Sequence, residues 1–174
     1  MTKVQRLVLA LVLLPVGLLA GTDVFEMMGN MPAIARMPLA THVASWQALD
    51  VFMEPRMPVF TGCMFLLFLV AIAIFWKERR RAIFWTLIAC FVMELVATVF
   101  TVTQQLPVNR AIMALDPAKL GDVAAVEALR QATLSHFNLL SLLCISAFVW
   151  LLFVGMMSAG ETVQHESRFD RVHR

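Results

Sequence analysis

Four apolar runs dominate the chain, and each is long enough to cross a bilayer. They extend from Leu7 to Met28, Met57 to Trp76, Ala82 to Leu106 and Ala132 to Gly160. A spanning helix needs roughly 20 apolar residues, because each rises about 1.5 Å through a hydrocarbon core about 30 Å thick. The second run holds no Asp, Glu, Lys or Arg, and the third holds only Glu94. The fourth holds none, with His136 as its one histidine. Of the 174 residues, 60% are hydrophobic and 15% charged, against about 25% charged in an ordinary soluble domain. The polar residues that remain cannot coat a water-soluble globule. A soluble globular enzyme, a disordered tail and a secreted disulfide scaffold are therefore excluded. The expected fold is all-α. It is a four-transmembrane-helix bundle over residues 1–160 with short outer (periplasmic or extracellular) helical loops, followed by a basic cytoplasmic tail over 161–174.

Charge placement sets the expected orientation. Lys3, Arg6, Lys77, Arg79, Arg80, Arg81, Arg168, Arg171 and Arg174 fall at one end, nine basic residues in short segments. Arg36, Arg56, Arg110, Lys119 and Arg130 are spread over two longer loops at the other. Short basic loops stay in the cytoplasm, so both termini are expected there, in the cytoplasmic (inner) membrane, with the longer loops outside. The net charge of +2 gives no reason to expect nucleic acid as a partner. The bilayer is the expected partner, and an oligomer or a membrane complex is compatible with it. A signal peptide cut after Ala20 would place Leu18 where a small residue is wanted, so the first run reads as a span.

The outer loops have structure of their own. Pro38 to Met53 is long enough for a short helix, which Pro55 and Pro58 end. The second loop is expected to begin at Pro107, with Asp116-Pro117 starting a short helix. From Asp122, the spacing of Val123, Val126 and Leu129 continues toward the fourth run. A helix unbroken from Asp122 to Ser158 would be about 55 Å long, so its start must project from the membrane or bend.

Ionisable groups in hydrocarbon cost about 2.5–3.5 kcal/mol on insertion scales and usually face a bundle interior. Glu94 lies near the middle of the third run. Cys90, Glu94, Thr98, Thr101 and Gln105 follow at spacings of 4, 4, 3 and 4, which is one helical face. Such a stripe is either a packing seam or the wall of a polar cavity opening outward. Asp23 and Glu26 close the first run, and interfacial solvation explains both; alternatively, Glu26 turns inward. His136 and Asn138 open the fourth run at a similar depth. His42, Trp46 and Asp50 share a face of the first outer helix. Glu26, His42, Gln47, Gln105, Asn109, His136 and Asn138 all fall in the outer half, as a site open to the outside requires.

Metal and cofactor signals are weak. Cys63, Cys90 and Cys144 lie in apolar stretches without ligand spacing and read as small buried hydrophobes. Seven of the twelve methionines cluster at or between the outer ends of the first two runs. Thioethers suit Cu(I), but methionine is also an adaptable filler, and no metal ligands are assigned. No motif requires a cofactor. Haem and copper stay open, since non-covalent haem leaves no signature.

Thr101-Val-Thr-Gln-Gln-Leu-Pro107-Val-Asn109-Arg110 resembles the Pro-x-Asn signature of the anthrone oxygenase-like family of small four-span membrane proteins. Trp46-Gln47-Ala48-Leu49-Asp50 resembles that family's glutamine-containing outer helix, and His136-Phe137-Asn138 its aromatic-Asn pair. The match covers about Leu7 to Ser158. It departs at Asp50, where the family often has Asn. It departs again at Leu140 and Ser141, where an Arg often stands. The resemblance implies an oxidoreductase that uses dioxygen on a hydrophobic aromatic or quinone-like molecule. Glu94 or His136 would then remove an acidic proton, and Asn109, Asn138 and Gln105 would hold the developing oxyanion. Gln47, His42 and Glu26 would complete the binding site. The alternative is a non-enzymatic membrane module: an accessory subunit or a binder of haem, copper or lipid.

Overall fold

The computed structural model describes residues 1–172, with side chains through Ser158. Its helices are α1 (Lys3–Phe25), α2 (Met31–Ile34), α3 (Leu39–Met53), α4 (Met57–Ile74), α5 (Ala82–Phe100), α6 (Leu106–Met113) and α7 (Val123–Val172). No strand occurs among the described residues. Among them, four helical stretches are long and apolar enough to cross a membrane: Lys3–Ile34, Met57–Ile74, Ala82–Met113 and Val123–Ser158. The protein is a multi-pass membrane protein with an all-α, four-helix bundle. The expected basic tail, 161–174, lies outside the residues whose side chains are described.

Local chemistry explains where the helices start. The Thr2 hydroxyl accepts from the Gln5 backbone N–H while the Gln5 side chain accepts from the Thr2 N–H. This reciprocal cap satisfies two donors at the start of α1. Asp122 caps α7 by accepting from the N–H groups of Ala124 and Ala125. The helix expected at Asp116-Pro117 does not form. Asp116 instead accepts from the Ala118 N–H in a turn, and Gly121 follows at φ +66°, a left-handed conformation that glycine adopts without strain.

Pro107, where the second loop was expected to begin, stands inside continuous helix, and so does Pro32. A proline ring donates no N–H and collides with the carbonyl four residues back. Ahead of Pro32 and Pro107 the helix widens into π turns, Glu26–Asn30 and Thr101–Gln105. There the Met31 and Leu106 N–H groups reach back five residues, to the carbonyls of Glu26 and Thr101. The wider turn accommodates the ring, so α1 runs on into α2 and α5 into α6.

In the bundle, α1 and α5 each pack against both α4 and α7. One apolar core fills the basic end, around Val12, Phe68, Phe75, Leu87, Ala147 and Leu151. Outward faces such as Leu7, Leu11, Leu14 and Leu18 of α1 are exposed, as lipid-facing surface must be. A second core, with Met31, Ile34, Val43, Trp46, Ile112 and Val126, lies in a cap built from α2, α3, α6 and the start of α7. Thus α7 does project beyond the bundle, and its first turns wall the cap. A polar layer lies between the two cores, with members from α1, α5 and α7 on its bundle side and from α3, the second π turn, α6 and α7 on its cap side.

Gln47 fastens the cap. Its side-chain amide donates to the carbonyls of Ile112 (3.0 Å) and Leu115 (2.8 Å) at the C-terminus of α6. The Ile112 carbonyl also accepts from the Leu115 N–H, and the Leu115 carbonyl lies past the last helical turn, where backbone donors run out. Gln47→Ala is expected to destabilise the cap by about 1–2 kcal/mol, read as a lower unfolding midpoint in detergent. An unchanged midpoint would show that solvent replaces the cap fully.

Candidate functional site

The polar layer contains two clusters, a deeper one between α1, α5 and α7 and an outer one that links α3, the Thr101–Gln105 π turn, α6 and α7. In the deeper one, Glu94 on α5 is 2% exposed. Its Oε2 lies 3.8 Å from the Cys144 Sγ on α7. Asp23 on α1 reaches the same place, where its Oδ1 accepts from the Ser141 hydroxyl at 3.2 Å. Glu94 Oε1 and Asp23 Oδ2 are buried without a hydrogen-bond partner among the described residues. The expected cavity wall at Glu94 is instead an enclosed position. The Thr98 hydroxyl bonds back to the Glu94 carbonyl and Thr101 to that of Ala97. Thr101 is exposed, whereas Gln105 at the end of the π turn is buried.

The outer cluster is a chain of four side chains. Asn109 Nδ2 on α6 donates to Asp50 Oδ1 on α3 at 3.2 Å. Gln105 Nε2 donates to Asn109 Oδ1 at 2.6 Å. Gln105 Oε1 meets His136 Nδ1 on α7 at 3.1 Å. The His136 ring packs edge-on to Phe100, with centroids 5.1 Å apart. Gln105 is buried, while Asp50, Asn109 and His136 are half-buried. Burial, reinforced by nearby Glu54, pushes the Asp50 carboxyl above its ordinary pKa, and the Asn109 hydrogen bond pulls it back.

Three of the sequence-selected residues, Gln105, Asn109 and His136, therefore meet. Glu94 stands apart: eight residues of α7 separate His136 from Cys144, about 12 Å along a helix. The oxyanion role expected for Gln105 and Asn109 is displaced, because their amides bond to each other and to the chain's two ends. Asn138 is exposed on α7 and lies outside the chain. Gln47 is committed to α6. Glu26 does not turn toward the stripe, because its Oε2 accepts from Asn30 at 2.6 Å within its own helix. Asp23, read from sequence as interfacial, is the acid that α1 turns inward. Ser141 and Cys144 were not selected by the sequence either. Their spacing along α7 looks like that of any small residues, and only packing puts them against acids.

His42 is 1% exposed inside the cap, beside Trp46 with ring centroids 6.0 Å apart. Its Nε2 and the Trp46 Nε1 are both buried without a hydrogen-bond partner among the described residues. Burial, then the Arg130 guanidinium, holds the His42 imidazole below its ordinary pKa of 6.5. As pH falls below that value, the unfolded chain takes up the proton before the folded cap does. Stability is fully present above pH 6.5 and is lost as pH falls toward the folded pKa, by about 1.4 kcal/mol for each unit of depression. Unfolding midpoints measured against pH should show this loss in the wild type and not in His42→Leu. Parallel curves would remove His42 as the cause.

Among the described residues, no group of three or more His, Cys, Asp or Glu side chains is arranged to hold a metal ion. Of the methionines near the outer end, Met31 and Met37 pack into the cap core, while Met28 and Met53 are exposed. A groove of about 440 Å³ lies at the basic end, lined by Trp85, Thr86 and Trp150 among others, away from both polar clusters. In comparisons with known proteins, no family model matches the chain, and no curated protein or solved structure is similar to it.

Proposed function

We propose that this protein is a membrane-embedded oxidoreductase of the anthrone oxygenase type. It acts where cap and bundle meet, on a hydrophobic aromatic or quinone-like molecule drawn from the bilayer. The supporting observation is the chain Asp50–Asn109–Gln105–His136. Its members come from the three separate segments that carry the family resemblance, and they converge beside an aromatic ring. The placement of Lys and Arg supports an inner-membrane orientation with both termini in the cytoplasm and the cap outside.

His136 is the base. Its Nδ1 is engaged by Gln105, while its Nε2 makes no hydrogen bond to any described residue and is available to a substrate proton. The substrate's activated CH₂ group loses a proton to Nε2, and the electron pair of that C–H bond stays on the aromatic anion. The anion reduces dioxygen. One oxygen atom remains as the new carbonyl, and the other leaves as water with the two hydrogens of the CH₂ group. Phe100 supplies an edge against which a flat ring can pack. Glu94, enclosed and about 12 Å deeper, takes no part in this proton transfer.

The test is oxygen consumption by the detergent-purified protein supplied with an anthrone, followed together with the absorbance of the quinone product. Protein-dependent uptake with stoichiometric product is expected. A rate equal to that of buffer and detergent alone would reject the reaction.

A further inference from the structure

The outer chain has a direction, and the direction has a chemical consequence. A carboxylate only accepts hydrogen bonds, whereas an Asn or Gln side chain accepts at one atom and donates at the other. Asp50 on α3 lies outside the spans and is half-buried, so at neutral pH it is the ionised, accepting end. Asn109 must therefore turn its NH₂ toward Asp50 and its oxygen toward Gln105. Gln105 must then turn its NH₂ toward Asn109 and its oxygen toward His136. An amide oxygen facing Nδ1 requires a proton on Nδ1. Flipping either amide alone sets two acceptors or two donors face to face.

We propose that Asp50 is a positioning residue that determines which nitrogen of His136 carries the proton, acting through the side-chain amides of Asn109 and Gln105. The proton is held on Nδ1 and the lone pair is left on Nε2. Because Nδ1 keeps its proton in both the neutral and the charged imidazole, all proton traffic is confined to Nε2. A carboxylate in direct contact with a histidine does the same for the base of a serine protease. Here two amides carry the instruction from the cap to the edge of the bilayer. The inference deepens the proposed role of His136 as a base, and it also makes a claim about the resting protein that needs no substrate.

The chain's polarity makes the claim testable by substitution at its far end. Asp50→Lys replaces an acceptor with a group that only donates, which reverses every link and moves the proton to Nε2. Asp50→Asn can donate or accept, so it permits both directions. The experiment is nitrogen NMR on full-length protein in detergent with isotope-labelled histidine. The His136 signals are identified by their loss in His136→Gln, and the His42 signals report that the cap is folded. The wild type is expected to show a protonated, pyrrole-like Nδ1 and a pyridine-like Nε2. In Asp50→Lys these signatures should exchange, and in Asp50→Asn they should be mixed. If Asp50→Lys fails to fold, Asp50→Asn decides alone. A His136 that keeps Nδ1 protonated and unmixed in a folded Asp50 variant overturns the proposal, as does a wild type protonated on Nε2. Oxygen uptake is scored separately. A tautomer that follows Asp50 in a protein without uptake removes the reaction and keeps this inference. Uptake with a tautomer indifferent to Asp50 does the reverse.

Discussion

His136→Gln is expected to lower protein-dependent oxygen uptake with an anthrone by about 10²–10⁴-fold, the usual contribution of a positioned general base. Glutamine approximates the size of the imidazole and can still meet Gln105, so the outer chain and the cap should survive. What is lost is the nitrogen lone pair that takes the substrate's proton. Glu94→Gln is expected to retain uptake near the wild-type rate, because Glu94 is 2% exposed and its carboxyl faces Cys144 rather than the outer chain. The two variants separate the rival acids and bases in one assay. Uptake that persists in His136→Gln and disappears in Glu94→Gln would move the chemistry to the deeper cluster, and loss in neither would leave both acids and bases without a catalytic role.

The largest structural effect is expected at Gly17. Between membrane helices, lipid tails are as apolar as the side chains, so association depends on close packing and small residues. Helix α1 meets α7 closely at Gly17 and Gly155. A β-carbon at Gly17 would lie 2.9 Å from the Phe148 ring, and one at Gly155 would lie 3.2 Å from Leu9. Gly17→Leu forces the Phe148 ring aside or separates the helices, and overpacking of this kind costs about 1–3 kcal/mol, sometimes more. Separation would also pull Asp23 on α1 away from Ser141 on α7. Gly21→Ala and Gly62→Ala are the controls, since a β-carbon at either site meets nothing within 4 Å. Both should match or slightly exceed wild-type stability, because alanine favours helix over glycine. Thermal unfolding in detergent compares the three, and equal midpoints would mean that α1 and α7 do not approach at Gly17.

Much of the architecture can be read one residue at a time. Four runs of apolar side chains must become helices in lipid, because no other single segment satisfies its own backbone hydrogen bonds there. The outer helix starting after Pro38 and the Asp122 cap of α7 follow from local chemistry in the same way. Pro107 misleads because a proline signals a break, and whether a π turn absorbs it depends on the packing around that turn. The same limit applies to the polar residues. Sequence gives their depth but not their rotation about the bundle axis. Asp23 and Glu26 lie three residues apart, yet Asp23 bonds across to α7 while Glu26 bonds back to Asn30.

The sequence by itself determined that this chain spans a membrane four times as an all-α bundle, and that its polar groups gather toward one end. Hydrophobic length and helical period settle those matters within single segments. Only the tertiary structure decided that Glu94 is enclosed with Asp23, Ser141 and Cys144, that Gln47 caps a helix, and that Asp50 is linked to His136 through two amides. Each of these depends on the relative rotation and depth of helices far apart in the chain. Side-chain packing across the interfaces fixes that relation, as where α1 meets α7 at Gly17, and no segment encodes it alone.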